Sequence, residues 1–240
     1  MTETMTFNGN VISDHFLVAD VQRPPVGRDN VMTEVSGMDG SLITGSTMPQ
    51  ATITVLIVIS DAGVTERREA IRTLMGMVHT TEPARLEFAS DNGRYYMAML
   101  DGDVPFTEHV RSGLVELNFV TEKPLLYGND VVSVTIPSGG SETFTVGGTY
   151  RTRPIIAASS ATASGGLWGL RLDDGDTMRV SVSGTKPVRI DCEERTVFVN
   201  DTLVPLNMAY DWFELEPGQH KIQNDVGTGA CTVTWREIWI

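Results

Sequence analysis

Only one stretch of this chain carries the 3.6-residue period of a helix. Most of the remaining apolar residues alternate with period two between clusters of Gly, Asn, Asp and Pro. The helical stretch runs from Thr65 to about His79. Thr65 suits an N-cap, Glu66 and Glu69 put negative charge into the first turn, and Ile71, Leu74, Met75 and Val78 recur at i, i+3, i+4 and i+7. That stripe is expected to bury one face and to leave Arg67, Arg68 and Arg72 in water, and Pro83 prevents the helix from continuing. Upstream, residues 52–59 are β-branched and too short for a helix of their own, so they predict a strand. Downstream, residues 85–90 and 94–100 flank Asp91-Asn92-Gly93, whose Asn-Gly pair supplies the positive φ values of a tight hairpin turn. Residues 115–120 alternate again. The first half therefore reads as an α+β domain of sheets with one packed helix.

The character changes near residue 128. Lys123-Pro124-Leu125-Leu126-Tyr127-Gly128-Asn129-Asp130 has a Pro, a Gly-Asn pair and no periodicity, which marks a junction between domains at 1–127 and 128–240. Beyond it, short alternating runs are expected as strands at 131–136, 142–146, 155–158, 167–172, 178–182, 188–190, 197–199, 213–215 and 230–240. Turn clusters such as Gly147-Gly148, Asp173–Asp176 and Asn200-Asp201 separate them. Many short strands with such punctuation predict an antiparallel β-sandwich, so the whole chain is mainly β.

Composition narrows the functional classes. The 240 residues carry 18 Lys and Arg against 31 Asp and Glu, a formal net charge of −13. The first half holds 9 basic and 17 acidic groups (−8) and the second 9 and 14 (−5), so charge does not separate them. An acidic surface repels phosphate and argues against gripping nucleic acid along a basic face. The longest apolar run, 51–59, has nine residues including two Thr, far short of the ~20 a bilayer crossing needs, and no membrane insertion is expected. The opening Met-Thr-Glu-Thr-Met lacks the basic and apolar stretches of a signal peptide. Two Cys, Cys192 and Cys231, cannot build a multi-bridge framework or a zinc site; they read as small buried hydrophobes in a chain made in a reducing compartment.

The search for chemistry is nearly empty. There is no G-x-S-x-G elbow, no H-E-x-x-H and no Walker loop, and His15, His79, His109 and His220 are scattered singly. Asp101-Gly-Asp103 and Asp173-Asp174-Gly175-Asp176 offer paired carboxylates, or oxygen ligands for calcium. Position twelve counted from Asp173 is Gly184 rather than the Glu of an EF-hand, and Asp-Gly clusters equally mark plain turns. Trp168, between Gly166 and Gly169, is a candidate platform for stacking a sugar or a core residue of the sandwich; Trp235 and Trp239 are expected in the core. No catalytic, cofactor or metal site is assigned, and the chain is not expected to be an enzyme.

The order of these elements resembles the siphophage distal tail protein (Dit) family, in its short form with a galectin-like C-terminal domain. The resemblance is carried by Met5-Thr-Phe-Asn-Gly9, Phe16-Leu-Val18, Val21-Gln-Arg-Pro-Pro25, the helix opening Thr65-Glu-Arg-Arg-Glu-Ala70, Arg85-Leu-Glu-Phe88 and Gly93-Arg-Tyr-Tyr-Met-Ala-Met-Leu100. In the second half it rests on Trp212-Phe-Glu-Leu-Glu-Pro-Gly218 and the closing Trp235-Arg-Glu-Ile-Trp239. It covers nearly the whole chain, although no single motif is diagnostic. The resemblance implies a structural protein of the virion tail tip, assembled in the host cytoplasm. Its first domains form a hexameric ring around a DNA channel and its second domains project outward. The implied partners are further copies of the chain, the tail-tube protein, the tail-associated tip protein and the end of the tape measure protein, with DNA passing through without specific binding.

Sugar binding is not implied by the shared fold, because the sandwich lacks the His-x-Asn-x-Arg and Trp-x-x-Glu-x-Arg patterns of sugar-binding galectins. A six-fold ring needs a contact that closes on itself, and strand addition between neighbours satisfies free edges. Residues 35–45, with Gly37, Met38, Asp39, Gly40, Leu42 and Ile43, are rich in Gly and aperiodic. They read either as an arm reaching a neighbouring subunit or as an ordinary surface loop. Two other functions compete with the ring: a carbohydrate- or receptor-binding module of the tail tip, and a hydrolase built on the Asp clusters.

Overall fold

The computed structural model describes residues 3–60, 63–109, 112–173, 175–205 and 211–240. The chain divides into two units, Met1–Tyr127 with Ile240, and Gly128–Trp239. In the first unit the strands are β1 (Met5–Phe7), β2 (Asn10–Val11), β3 (Leu17–Gln22), β4 (Asp29–Glu34), β5 (Ser41–Thr47), β6 (Ala51–Ser60), β7 (Ala84–Phe88), β8 (Arg94–Leu100), β9 (Phe106–Glu108) and β10 (Ser112–Thr121). One α-helix, α1 (Val64–Val78), lies between β6 and β7.

The main sheet runs β2-β1-β7-β8-β10-β6-β3, with β9 on the far end of β10. Its spine is the β6–β10 ladder, where Ile53, Val55 and Ile57 face Phe119, Leu117 and Val115 in antiparallel register. All six are buried, and the alternation along both strands sends every second residue into one core. Leu74 and Val78 of α1 belong to the same buried cluster, so the predicted stripe is what seats the helix. At the predicted hairpin, Asn92 (φ 52°) and Gly93 (φ 78°) adopt the left-handed conformations expected of them.

Two expectations for the helix are corrected. It starts at Val64, and its N-cap is Gly63, in extended conformation and without a side-chain capping bond, so Thr65 sits inside the first turn. Arg67 is not in water: only 4% of it is exposed, and its Nη2 donates to Glu108 Oε1 at 3.0 Å. Arg67 extends the buried stripe one turn toward the N-terminus, and the carboxylate from β9 offsets the cost of burying its charge.

Across the junction runs β11 (Leu126–Gly128). The second unit contains β12 (Val132–Ile136), β13 (Ser141–Val146), β14 (Ile155–Thr162), β15 (Leu167–Leu172), β16 (Thr177–Ser181), β17 (Thr185–Asp191), β18 (Thr196–Val199), β19 (Thr202–Val204), β20 (Gly218–Val226), β21 (Cys231–Trp235) and β22 (Ile238–Trp239). One sheet is ordered β12-β21-β14-β17-β18-β19 and a second β13-β20-β15-β16, all antiparallel. Side chains from both meet in one core, with Ile156, Ile190 and Val233 from the first and Trp168, Leu170 and Val180 from the second.

Three strand expectations shift. Residues 213–215 form no strand; Phe213 and Leu215 are fully buried, but only Leu215 makes a bridge, to Thr152. The terminal run splits into β21 and β22 around Arg236 and Glu237. The nine-residue β20 lies where no strand was expected, because only Ile222 and Asn224 along it are buried and its hydrophobic alternation is faint.

Candidate functional site

Strands β4 and β5 belong to none of the three larger sheets and form a two-stranded sheet of their own. Their register pairs Met32 with Ile43, Thr33 with Leu42 and Glu34 with Ser41, and shifts between Val31 and Met32. The hairpin connection spans residues 35–40. Gly37 and Gly40 take positive φ there (85° and 88°), and Met38 N–H donates to the Val35 carbonyl at 3.1 Å. Of the sequence-derived arm residues, Gly37, Met38, Asp39 and Gly40 lie in this connection, and Leu42 and Ile43 lie on β5. All six are exposed.

The partner strand was not singled out from the sequence, yet it supplies a third of the exposed large apolar residues of the hairpin. Val31 and Met32 of β4 join Val35, Met38, Leu42 and Ile43 as exposed large hydrophobics. The signal that could have found β4 is the Met38-Asp39-Gly40 turn between two runs containing Val, Ile and Thr. A free-standing two-stranded hairpin is marginal in water, and this one shows apolar side chains with no core of its own. Its arrangement suits burial against another protein surface.

The remaining sequence candidates lie elsewhere. Asp101, Gly102 and Asp103 are exposed in the connection after β8, with Gly102 at φ 73°. Asp173 and Asp176 lie in the β15–β16 turn, closed by Leu172 N–H to the Asp176 carbonyl at 2.8 Å; Asp174 lies outside the described residues. The Asp173 carboxylate is already engaged, accepting from Lys221 N–H at 2.7 Å and standing 2.5 Å from His220 Nδ1. The other ring nitrogen of His220 is 2.7 Å from the Glu216 carbonyl oxygen, so these contacts tie the turn to β20. Among the described residues no three His, Cys, Asp or Glu side chains are grouped to hold a metal ion. Trp168 is fully buried in the sandwich core and presents no ring face for a sugar. Cys192 and Cys231 are free and buried, and burial pushes each thiol up to about 12.

Comparisons with known proteins place this arrangement. Residues 13–121 match the family described as phage tail protein RIFT-related domain, and residues 147–239 match the siphovirus-type tail component, C-terminal domain. The chain is 28% identical over 225 residues to the distal tail protein of Bacillus phage SPP1, covering 89% of this chain and 87% of that protein. The crystal structure of SPP1 Dit, described as a paradigm of the hub adsorption apparatus in phages infecting Gram-positive hosts, superposes with a TM-score of 0.86 over the whole of both chains at 22% identity. A chain of the phage P2 baseplate in its activated conformation matches at 0.52 and 10% identity, over 99% of this chain and 98% of that one. The first of these likenesses shows the same fold; the second is more distant. With both domains matched in order and a relative aligned across nearly the full length, the chain is a member of the siphophage distal tail protein family.

Proposed function

We propose that this protein is a structural, non-enzymatic hub component at the distal end of a long non-contractile phage tail. In this reading six copies close into a ring that joins the tail tube to the tail tip, and the β4–β5 hairpin is the arm by which each copy engages the next. The hairpin is the observation that carries the ring: two exposed strands that, among the described residues, pair only with each other, bear apolar side chains and offer their outer edges for strand addition. A ring closed by identical head-to-tail contacts needs such an element on one side of each subunit.

The first unit makes the ring and the sandwich, of galectin-like form, projects outward. The neighbours along the tail axis are the tail-tube protein, a tail-associated tip protein and the end of the tape measure. Part of the −8 charge of residues 1–127 lines the channel, so passing DNA meets repulsion rather than a grip. Mass photometry of the purified protein, followed by negative-stain class averages, tests the assembly. Six-fold rings are expected. A protein that stays monomeric even when mixed with its tail-tube partner overturns the ring, and a density map with a basic lumen overturns the channel assignment.

A further inference from the structure

The chain has eleven methionines, and they differ sharply in their access to solvent. Met5 and Met178 are shut in the two cores, and Met48, Met75, Met77 and Met99 are half-buried. Among the described residues the two most exposed are Met32 at 61% and Met38 at 47%, both on the β4–β5 hairpin; Met97, on β8, follows at 36%. Two of the hairpin's six exposed large apolar side chains, Val31, Met32, Val35, Met38, Leu42 and Ile43, are therefore thioethers. Met32 stands in the ladder opposite Ile43. Met38 lies in the connection, where its N–H donates to the Val35 carbonyl at 3.1 Å.

We infer that Met32 and Met38 form a site of reversible oxidation by peroxide, and that oxidation there removes the apolar character through which the hairpin is buried. Its consequence rests on the hub reading: an oxidised copy is kept out of the ring. Each thioether sulfur gives an electron pair to one oxygen of hydrogen peroxide, the O–O bond breaks, a sulfoxide forms and water leaves. A flexible apolar side chain becomes a polar one that asks for a hydrogen-bond donor. In water that demand is met, so the free subunit stays folded. Against another protein surface it is costly unless a donor happens to face it, and the Ile43 side chain opposite Met32 has none. Assembly covers the same sulfurs, so a copy is oxidised before it joins the ring and is protected afterwards.

The other sulfurs compete poorly. Cys192 and Cys231 are buried, and a thiol reacts with peroxide as its thiolate, which burial disfavours. Met5 and Met178 meet the oxidant only when their cores open. Met97 is reachable, but it belongs to the main sheet, opposite Arg85 on β7, so its oxidation leaves the hairpin's apolar face as it was.

The test uses the full chain. Unassembled protein is titrated with hydrogen peroxide, and each methionine is followed by peptide mass mapping. Met32 and Met38 are expected to oxidise first, about tenfold or more faster than Met5 and Met178, as exposure dictates. Ring fraction by mass photometry and retention on a hydrophobic-interaction column are read on the same samples, and both are expected to fall. Methionine sulfoxide reductases, one for each sulfoxide epimer and driven by dithiothreitol, are expected to restore both. A Met32→Leu, Met38→Leu double variant is its own control: whatever ring fraction and retention it shows, peroxide is expected to leave them unchanged. The inference is overturned if Met5 or Met178 oxidises as fast as the hairpin pair, if rings still form with both hairpin methionines oxidised, or if peroxide affects the leucine variant as it affects the parent. An untreated parent without rings overturns the hub reading alone. Column retention that falls on oxidation in the parent and holds in the leucine variant then still supports the oxidation site, and retention unchanged in the parent overturns it.

Discussion

Met32 lies directly opposite Ile43 across the β4–β5 ladder, and the two side chains are 61% and 59% exposed. A cross-strand apolar pair normally stabilises a sheet by shedding water together, and this one sheds little within a single chain. The double variant Met32→Asp with Ile43→Asp should therefore leave the monomer's stability within about 0.5 kcal/mol of the parent, as surface changes do. It should also remove the ring population in mass photometry. Rings that persist in this variant, or a monomer that melts early, would assign the hairpin a role inside its own subunit.

A second prediction concerns the charge cluster on the four-stranded sheet. Asp225 accepts from Arg179 at 2.7 Å and from Arg171 at 3.0 Å, and both Asp225 and Arg179 are nine-tenths buried. Arg179 also donates to the Leu170 and Met178 carbonyls, which orients its guanidinium but does not balance its charge. Asp225→Asn should cost about 3–5 kcal/mol in urea unfolding, because it takes the carboxylate charge from beside a buried guanidinium. Adding Arg179→Met should recover part of that loss, since an apolar chain of similar length tolerates the same burial. A double variant weaker than the two single losses combined would mean that the guanidinium is held by its carbonyls alone.

How much of this was readable beforehand depends on whether a residue's fate is decided locally. Asn92-Gly93 was legible because the turn's positive φ is a demand on two adjacent residues, and Leu74 and Val78 because a helical stripe has one period and one buried side. Arg67 was misread because its burial depends on Glu108, forty-one residues away on β9. The strand β20 was missed because its buried positions include Asn224, whose amide donates to the Gly229 carbonyl at 2.6 Å and so stands in for an apolar residue. Phe213 and Leu215 show the reverse, apolar and buried without belonging to a ladder. The exposed β4–β5 hairpin was half legible: glycines and the lack of clear periodicity set residues 35–45 apart from a core strand. Val31 and Met32 are adjacent, with a register shift between them, and so offered no period to read.

The two thiols make stability depend on pH at the alkaline end. Burial raises both Cys192 and Cys231 from 9.0 to about 12. Between those values the unfolded chain has lost the thiol protons that the folded chain keeps, so the unfolded state binds fewer protons and stability falls as pH rises. Urea unfolding followed from pH 8 to pH 11 should decline more steeply for the parent than for a Cys192→Val, Cys231→Val double variant, which controls for the other groups that titrate there. At pH 8 the native protein should react with a thiol reagent only as fast as it opens. Equal slopes in the two proteins would mean that the thiols ionise in the folded state as readily as outside it.

Two glycines of the sandwich share a backbone conformation but not a neighbourhood. Gly165 (φ +61°) would direct a Cβ into open space, whereas at Gly227 (φ +81°) a Cβ would stand 2.5 Å from the Thr162 carbonyl oxygen and 3.0 Å from Trp168 Cδ1. Gly165→Ala therefore meets only the left-handed backbone penalty of about 1–2 kcal/mol. Gly227→Ala meets the same penalty and must also push apart β14 and the buried indole, adding about 1–3 kcal/mol of overpacking. The neighbouring Thr162–Thr228 bridge, with N–H to carbonyl distances of 2.8 and 2.9 Å, limits how far the strand can yield. Thermal melts of the two variants should thus separate, with Gly227→Ala the less stable. Equal melts would show that the end of β14 moves freely enough to admit a methyl group beside Trp168.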